Sequence, residues 1–502
     1  MAYEVARGAR GFFSGTIFSR LSGCFRDIFL AFFFGSSAMI ASFMIAYRFS
    51  NLFRRLLGEG PLQGGFIPHF SEKSGKEAAI FFRDVFFSLL TILVLVVAIT
   101  ELILTFFFSR VSTGSQEIVI LCMIMLPGLI FISLYAFSSA HLQCEKSFFL
   151  PAASGVVFNL IWILAAYITA KNSPHSARGL AIGVVAAFFF QWLVVFYPSF
   201  QKMKGALSFR EWGYYRPFSS EVIAMIKPLS LGVIGVAAMQ INAALDSLFA
   251  RVADPSGPAY LWYAIRLQQL PLAMLGISLS GALLPALSKI KEEEPFRKQL
   301  RFALQAGICL MVAATGALIV LGKGGIRFVF GHGNFDTHSV AETFRALWGY
   351  GLGLAPSVIV LILASAFYAK KNYFVPTISS LISVGVNIFL NTLFVFVFHW
   401  GVFSIALATS LSATFNAIFL FLFQRSLLKG LVWGLAKALI ATLIPAITVS
   451  FMNGLPVIAL MGIYGTLFFL GVHILKIEEV AQLVWAKNSQ TSGILIGKGR
   501  DI

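Results

Sequence analysis

Arg20, Arg26 and Asp27 lie inside SRLSGCFRDIFLAFFFG (19–35), a stretch whose remaining residues are mostly apolar or small. AYRFSNLFRRLLGEG (46–60) carries Arg48, Asn51, Arg54, Arg55 and Glu59, and YAIRLQQLP (263–271) carries Arg266. On a helix of about 3.6 residues per turn, Asp27 falls nearly on the face of Arg20, while Arg26 is turned about 120° away. Arg48, Asn51, Arg55 and Glu59 share one face, and Arg54 stands off it. Guanidinium groups present rigid donor forks that match phosphate oxygens. Taken one at a time, these residues have a structural reading: Arg54 and Arg55 reach the membrane surface, and Arg20 pairs with Asp27. As a set they hold more arginine than acid, and surplus positive charge in an apolar setting calls for an anionic ligand. No nucleophile with a base and no cluster of acids for Mg²⁺ accompanies them, so no catalytic residue is assigned.

The elements that carry these charges are membrane spans. Of the 502 residues 58% are hydrophobic and only 12% charged, and the mean hydropathy is +0.85. Such a composition excludes an ordinary soluble domain. Apolar windows of about 20 residues, enough to cross about 30 Å of hydrocarbon, recur about fourteen times. They cover 11–34, 36–57, 79–108, 117–140, 150–170, 179–200, 222–250, 259–287, 301–322, 341–368, 374–398, 401–424, 431–452 and 455–475. EKSGKE (72–77), KNSPHSARG (171–179), ADPSGP (253–258) and KIKEEEPFRK (289–298) read as loops. No alternation of a β-barrel is present and no cleavable signal peptide is read.

Basic loops stay in the cytoplasm. Lys73, Lys76, Lys202, Lys204, Arg210, Arg216 and the 289–301 cluster fall on one side, against a sparse Arg110, Lys171, Arg178, Arg251, Lys323 and Arg327 on the other. Both termini are therefore expected inside, in the cytoplasmic (inner) membrane. The net charge of +17 reflects this bias and favours anionic headgroups, with nucleic acid excluded as a partner. Cys24, Cys122, Cys144 and Cys309 fall in or beside spans without ligand spacing, so no disulfide or metal site is read from them.

The chain repeats itself weakly. Residues 46–72 align with 264–289, matching Arg48 to Arg266, and 138–159 align with 364–387, each with a basic loop, a proline and a downstream asparagine. An even number of crossings separates the copies, which predicts two parallel six-helix lobes, 1–215 and 216–428. Two further helices follow (429–476), then a cytoplasmic tail (477–502). The expected fold is an all-α polytopic membrane protein of two lobes, the plan of alternating access.

SRLSGCFRD, RFSNLFRRLLGEG, FIPHFSE, QINAALDSLFA (240–250), YAIRLQQLPLAMLGISLSGALLPALSK (263–289), FGHGNFD (330–336), SAFYAKKNYFVPT (365–377) and ALATSLSATFNA (406–417) together resemble the MurJ (MviN) family of the MOP transporter superfamily. That family comprises lipid II flippases of peptidoglycan synthesis, and the resemblance covers spans one to twelve. It implies a cationic central cavity in which Arg20, Arg26, Arg54 and Arg266 hold the lipid diphosphate, with Arg48, Asp27, Asn51 and Glu59 around them. The undecaprenyl tail would lie in a groove formed with the last two helices. Lipid II is the implied partner, together with membrane lipids and cell-wall synthesis and division proteins. Two positions depart from the family pattern: Ala41 stands at its usual aspartate and Ser50 at its proline.

No cofactor is implied except sodium, which some members bind. The matching positions are Asp246, Asn387, Asn391 and Thr409, oxygen-bearing groups suited to a hard cation. Asn391 replaces a second carboxylate, and a buried Asp246 with neighbouring amides serves equally as helix–helix glue. His332, in an expected outer loop, reads as a turn residue. GILIGKGRD near the C-terminus lacks the context of a phosphate loop and reads as tail. The alternatives are a polysaccharide-lipid flippase or MATE-like antiporter, and a membrane enzyme acting on polyprenyl phosphates.

Overall fold

The computed structural model describes residues 2–57, 61–226, 229–424, 431–452 and 454–485, and every regular element in them is helical. By contact the chain divides into two compact units. The first is Met1–Arg251 with His332–Asp336, and the second is Val252–Gly331 with Thr337–Ile502.

In the first unit, α1 (Ala2–Phe34) and α2 (Ala38–Leu57) precede a helix that hydropathy did not single out, α3 (Pro61–Ser71). Next come α4 (Gly75–Phe108), α5 (Thr113–Met125), α6 (Gly128–Cys144), α7 (Phe149–Ala153), α8 (Gly155–Asn172) and α9 (Arg178–Met203). Helix α9 packs on α6 and α8, and α8 runs along α1. The span expected at 117–140 is two helices bent by 41° around Pro127, whose missing N–H cannot continue the ladder. Buried Phe66, Phe70, Phe81, Phe82 and Phe137 form one core of this unit.

The segment after α9 is a fastened structure. In α10 (Phe209–Gly213), Ser208 and Glu211 form a reciprocal capping box, the S-x-x-E pattern of the sequence. Arg83 of α4 gives Nε and Nη2 to Asp84 Oδ1 and Nη1 to the Glu211 carbonyl, and Asp84 accepts from the Arg216 backbone N–H. Short α11 (Ser220–Ile226) follows, then α12 (Leu229–Ala253).

The second unit holds α13 (Gly257–Pro271), α14 (Ser278–Ser288), α15 (Glu293–Phe330), α16 (Thr337–Gly351), α17 (Leu354–Ala369), α18 (Phe374–Thr392), α19 (Phe403–Leu422), α20 (Leu431–Ser450), α21 (Val457–Ile474) and α22 (Glu478–Trp485). One turn of π-helix, Leu272–Ile277, follows Pro271 and joins α13 to α14. Helix α15 starts at Glu293 rather than near 301, so part of the expected loop 289–298 is helical. Pro295 is tolerated there because first-turn N–H groups have no helical partner. Leu300, Leu304, Met311, Val358 and Ile362 pack α15 against α17.

Helices α6 and α17, which end the first segments of the later repeat, terminate alike. Ser147 N–H donates to the Leu142 carbonyl and Asn372 N–H to the Phe367 carbonyl, with Lys146 and Lys371 left-handed at φ 58° and 57°. Among the described residues nine helices are long and apolar enough to cross a membrane, or eleven if each of two bent pairs makes one span. Helices α1, α2 and α12 are not among them, and α1 and α2 carry Arg20, Arg26, Asp27, Arg48 and Arg54.

Candidate substrate-binding site

Helices α1 and α8 approach closely because Gly155 faces Ser19. A Cβ at Gly155 would lie 2.1 Å from the Ser19 Oγ. One turn along α8, Asn159 donates Nδ2 to the Ser22 Oγ at 2.8 Å and to the Ser19 carbonyl at 3.1 Å. Its Oδ1 accepts from Arg26 Nη1 at 3.1 Å. Arg26 gives Nε and Nη2 to Asp27 Oδ1 at 3.1 and 2.8 Å, and its guanidinium stands 4.4 Å from the Trp162 ring centroid. Asn159, Arg26, Asp27 and Trp162 are buried. Among the described residues three nitrogens of Arg26 are thus bonded to protein oxygens, and one N–H on each terminal nitrogen makes no such bond.

The structural reading of Asp27 is corrected in one respect. Its guanidinium partner on α1 is the adjacent Arg26, although a straight helical wheel favours Arg20. A long side chain can fold back along its own helix, and the wheel ignores this. Arg20 is exposed and forms no ion pair among the described residues.

On α2, Arg48 is half-buried and donates Nη1 to the Ala243 carbonyl of α12 at 2.9 Å. Asn51 is half-buried, and its buried Oδ1 finds no hydrogen-bond donor among the described residues. Arg54 lies on α2 with its side chain outside the description, and Glu59 falls outside the described residues altogether. Arg266 belongs to the second unit, where its guanidinium lies 4.5 Å from the Trp262 ring centroid. Arg26 and Arg266 are therefore each faced by a tryptophan, and the flat cation is oriented by the ring quadrupole.

Asn159, Trp162 and Trp262 escaped the sequence reading. The signal for Asn159 was present, as a polar residue within an apolar span and the asparagine that closes the repeat. Nothing in the sequence reveals that it reaches α1.

Of the four positions considered for sodium, three meet in the second unit. Asn391 Nδ2 donates to Asn387 Oδ1 at 2.9 Å, and Asn387 Nδ2 to Thr409 Oγ1 at 3.4 Å. Asp246, buried on α12, belongs to the first unit. Asn387 Oδ1 and Thr409 Oγ1 accept these bonds, while the buried Asn391 Oδ1 finds no hydrogen-bond donor among the described residues. His332 lies in a turn, as read, and GILIGKGRD lies outside the described residues.

Among the described residues some charges outside the spans are paired, Lys73 with Glu77 and Glu221 and Lys76 with Glu211. Lys73 is raised above the ordinary lysine range by its hydrogen bond to Glu77, supported by Glu221. Glu211 is pulled down to about 2 by a hydrogen bond from Lys76 and by the backbone and hydroxyl of Ser208.

The chain matches the family model described as lipid II flippase MurJ over residues 30–477. It is 32% identical to a probable lipid II flippase MurJ of Chlamydia muridarum (strain MoPn / Nigg), covering 86% of this chain and 81% of the relative. To a probable lipid II flippase MurJ of Aquifex aeolicus (strain VF5) it is 29% identical over 94% of each chain. A lipid II flippase MurJ in an inward closed conformation superposes with a TM-score of 0.80 at 24% identity, over 93% of this chain and 99% of that one. An inward-facing multidrug resistance MATE family transporter of the MOP superfamily has the same general fold, with a TM-score of 0.65 at 14% identity over 82% and 95%.

Proposed function

The chain belongs to the lipid II flippase MurJ family, and from that premise we propose that it carries an undecaprenyl-diphosphate-linked peptidoglycan precursor from the cytoplasmic to the periplasmic leaflet by alternating access. The observation that carries the reading is Arg20, a guanidinium on α1 that no carboxylate pairs among the described residues, about one and two-thirds turns from the fixed Arg26. In this proposal Arg20, Arg26, Arg54 and Arg266 hold the diphosphate, and Asp27 and Asn159 aim Arg26. Arg48, Asn51 and Glu59 stand around them. The lobes are 1–215 and 216–428, the helices of 429–476 take the prenyl tail, and α1, α2 and α12 complete a fourteen-span bundle in the inner membrane with both termini inside. Sodium, if it couples transport, is held by Asp246 with Asn387, Asn391 and Thr409 around it.

The test is movement of labelled lipid II across proteoliposomes, with and without a membrane potential. Translocation without change of mass is expected, whereas a product of altered mass would instead make the protein an enzyme. Asp246→Asn should weaken any sodium dependence while the protein remains folded in the membrane, and indifference to both changes would remove sodium from the proposal.

A further inference from the structure

The connection from α9 to α11 lies against α4 at the depth where the bilayer's hydrocarbon ends. About 20 residues back from Phe108, the length that crosses the hydrocarbon, stands Ser88. Ser88 Oγ accepts the Phe218 backbone N–H at 3.2 Å, and the Tyr215 ring stacks on Phe87 with centroids 4.8 Å apart. Trp212 packs the segment onto Phe82 of α4 and Phe200 of α9, at 6.5 and 5.2 Å between centroids. Other rings of the segment are bare: Phe209 is 96% and Tyr214 79% exposed, and Phe218 is exposed beside Ser88. Bare aromatic rings at this depth meet the headgroup layer, which takes their apolar and polar parts together.

The charges of the segment are sorted as well. Its two acids are both held by lysines from outside it, Glu211 by Lys76 and Glu221 by Lys73. Lys204, Arg210 and Arg216 are exposed and meet no carboxylate among the described residues. The pairs therefore cancel the segment's negative charge without consuming its own cations. What remains is charge of one sign among exposed rings, the complement of an anionic surface.

We propose that residues 204–218 form a docking surface for anionic phospholipid headgroups of the leaflet they border, the cytoplasmic one in the orientation proposed above. Phe209, Tyr214 and Phe218 seat among the headgroups, and Lys204, Arg210 and Arg216 meet lipid phosphates. A lipid surface fits better than an acidic soluble protein because Phe87 and Ser88 fix the segment at the edge of the hydrocarbon. Lys76 acts at one remove, by shielding the headgroups from Glu211. The proposal needs only that the chain spans a bilayer, not that it moves lipid II.

The test uses the full chain in lipid nanodiscs, where neither transport nor sidedness enters. Gly213 is exposed and a Cβ there meets nothing within 4 Å, so Gly213→Cys, in a variant with the four native cysteines replaced, can carry an environment-sensitive fluorophore. In phosphatidylcholine discs, added phosphatidylglycerol should shield the fluorophore from acrylamide and bring it within reach of brominated lipid, and added salt should reverse this in the otherwise unaltered protein. The ratio of shielded to accessible fluorophore should fall about fivefold for each of Lys204→Gln, Arg210→Gln and Arg216→Gln, and only where phosphatidylglycerol is present. Lys76→Gln should lower it too, and adding Glu211→Gln, which keeps an N3 capping group, should restore it. A fluorophore as open to acrylamide with phosphatidylglycerol as without it would overturn the proposal. So would shielding that survives the loss of all three cations, since the contact would then be apolar alone.

Discussion

At the scale of single residues, the two arginines of α1 are predicted to behave differently. Arg26 and Asp27 form a buried pair, and removing Arg26 takes a bonded cation from a carboxylate in a low-dielectric setting. Arg26→Ala should cost about 3–5 kcal/mol of stability, and the double change Arg26→Ala, Asp27→Ala should recover most of it. Thermal unfolding in detergent, with all three variants compared, checks this. A double variant no more stable than Arg26→Ala would show that the pair is not the source. Arg20 is exposed, so Arg20→Ala should leave the unfolding temperature unchanged. Translocation should fall about thirtyfold, the scale of about 2 kcal/mol lost from hydrogen bonds to a charged group. Arg20→Lys should rescue only in part because a point charge replaces the fork.

At the scale of elements, the segment after α9 is held by short-range chemistry that responds to pH. Glu211 is pulled down to about 2 by Lys76 and Ser208. Because its folded value lies below its ordinary one, this contribution is fully present above about pH 4.5 and is lost as pH falls toward about 2. Amide exchange in Phe209–Gly213 should accordingly accelerate relative to α4 on acidification. At neutral pH, Ser208→Ala should accelerate it about fivefold, the equivalent of about 1 kcal/mol for a lost cap. Exchange unchanged by either treatment would mean that tertiary packing, for instance of Trp212 against Phe82 and Phe200, holds the segment without the capping box.

For the whole molecule, the distribution of lysine and arginine predicts that the loops near 171–179 and 253–258 face the periplasm. Single cysteines at Ser173 and Ser256 should react with an impermeant thiol reagent added from that side. Labelling only from the cytoplasmic side would invert the topology.

The family, the helical membrane fold and most spans were legible in the sequence, because hydropathy over about 20 residues and the sided placement of charge are local properties that the bilayer reads directly. Even the interruptions had local marks, as at Pro127 and Pro271. What tertiary structure decided are the partnerships. Which arginine of α1 answers Asp27 depends on how the side chain folds back and on Asn159 arriving from another helix. That helix arrives because Gly155 lets α8 lie against Ser19. The capping of α1 by Asn334 joins positions three hundred residues apart, and no periodicity in a sequence encodes such a meeting. Hydropathy is a sum over neighbours in the chain, whereas a hydrogen bond inside the membrane depends on which backbones can approach closely enough to make it.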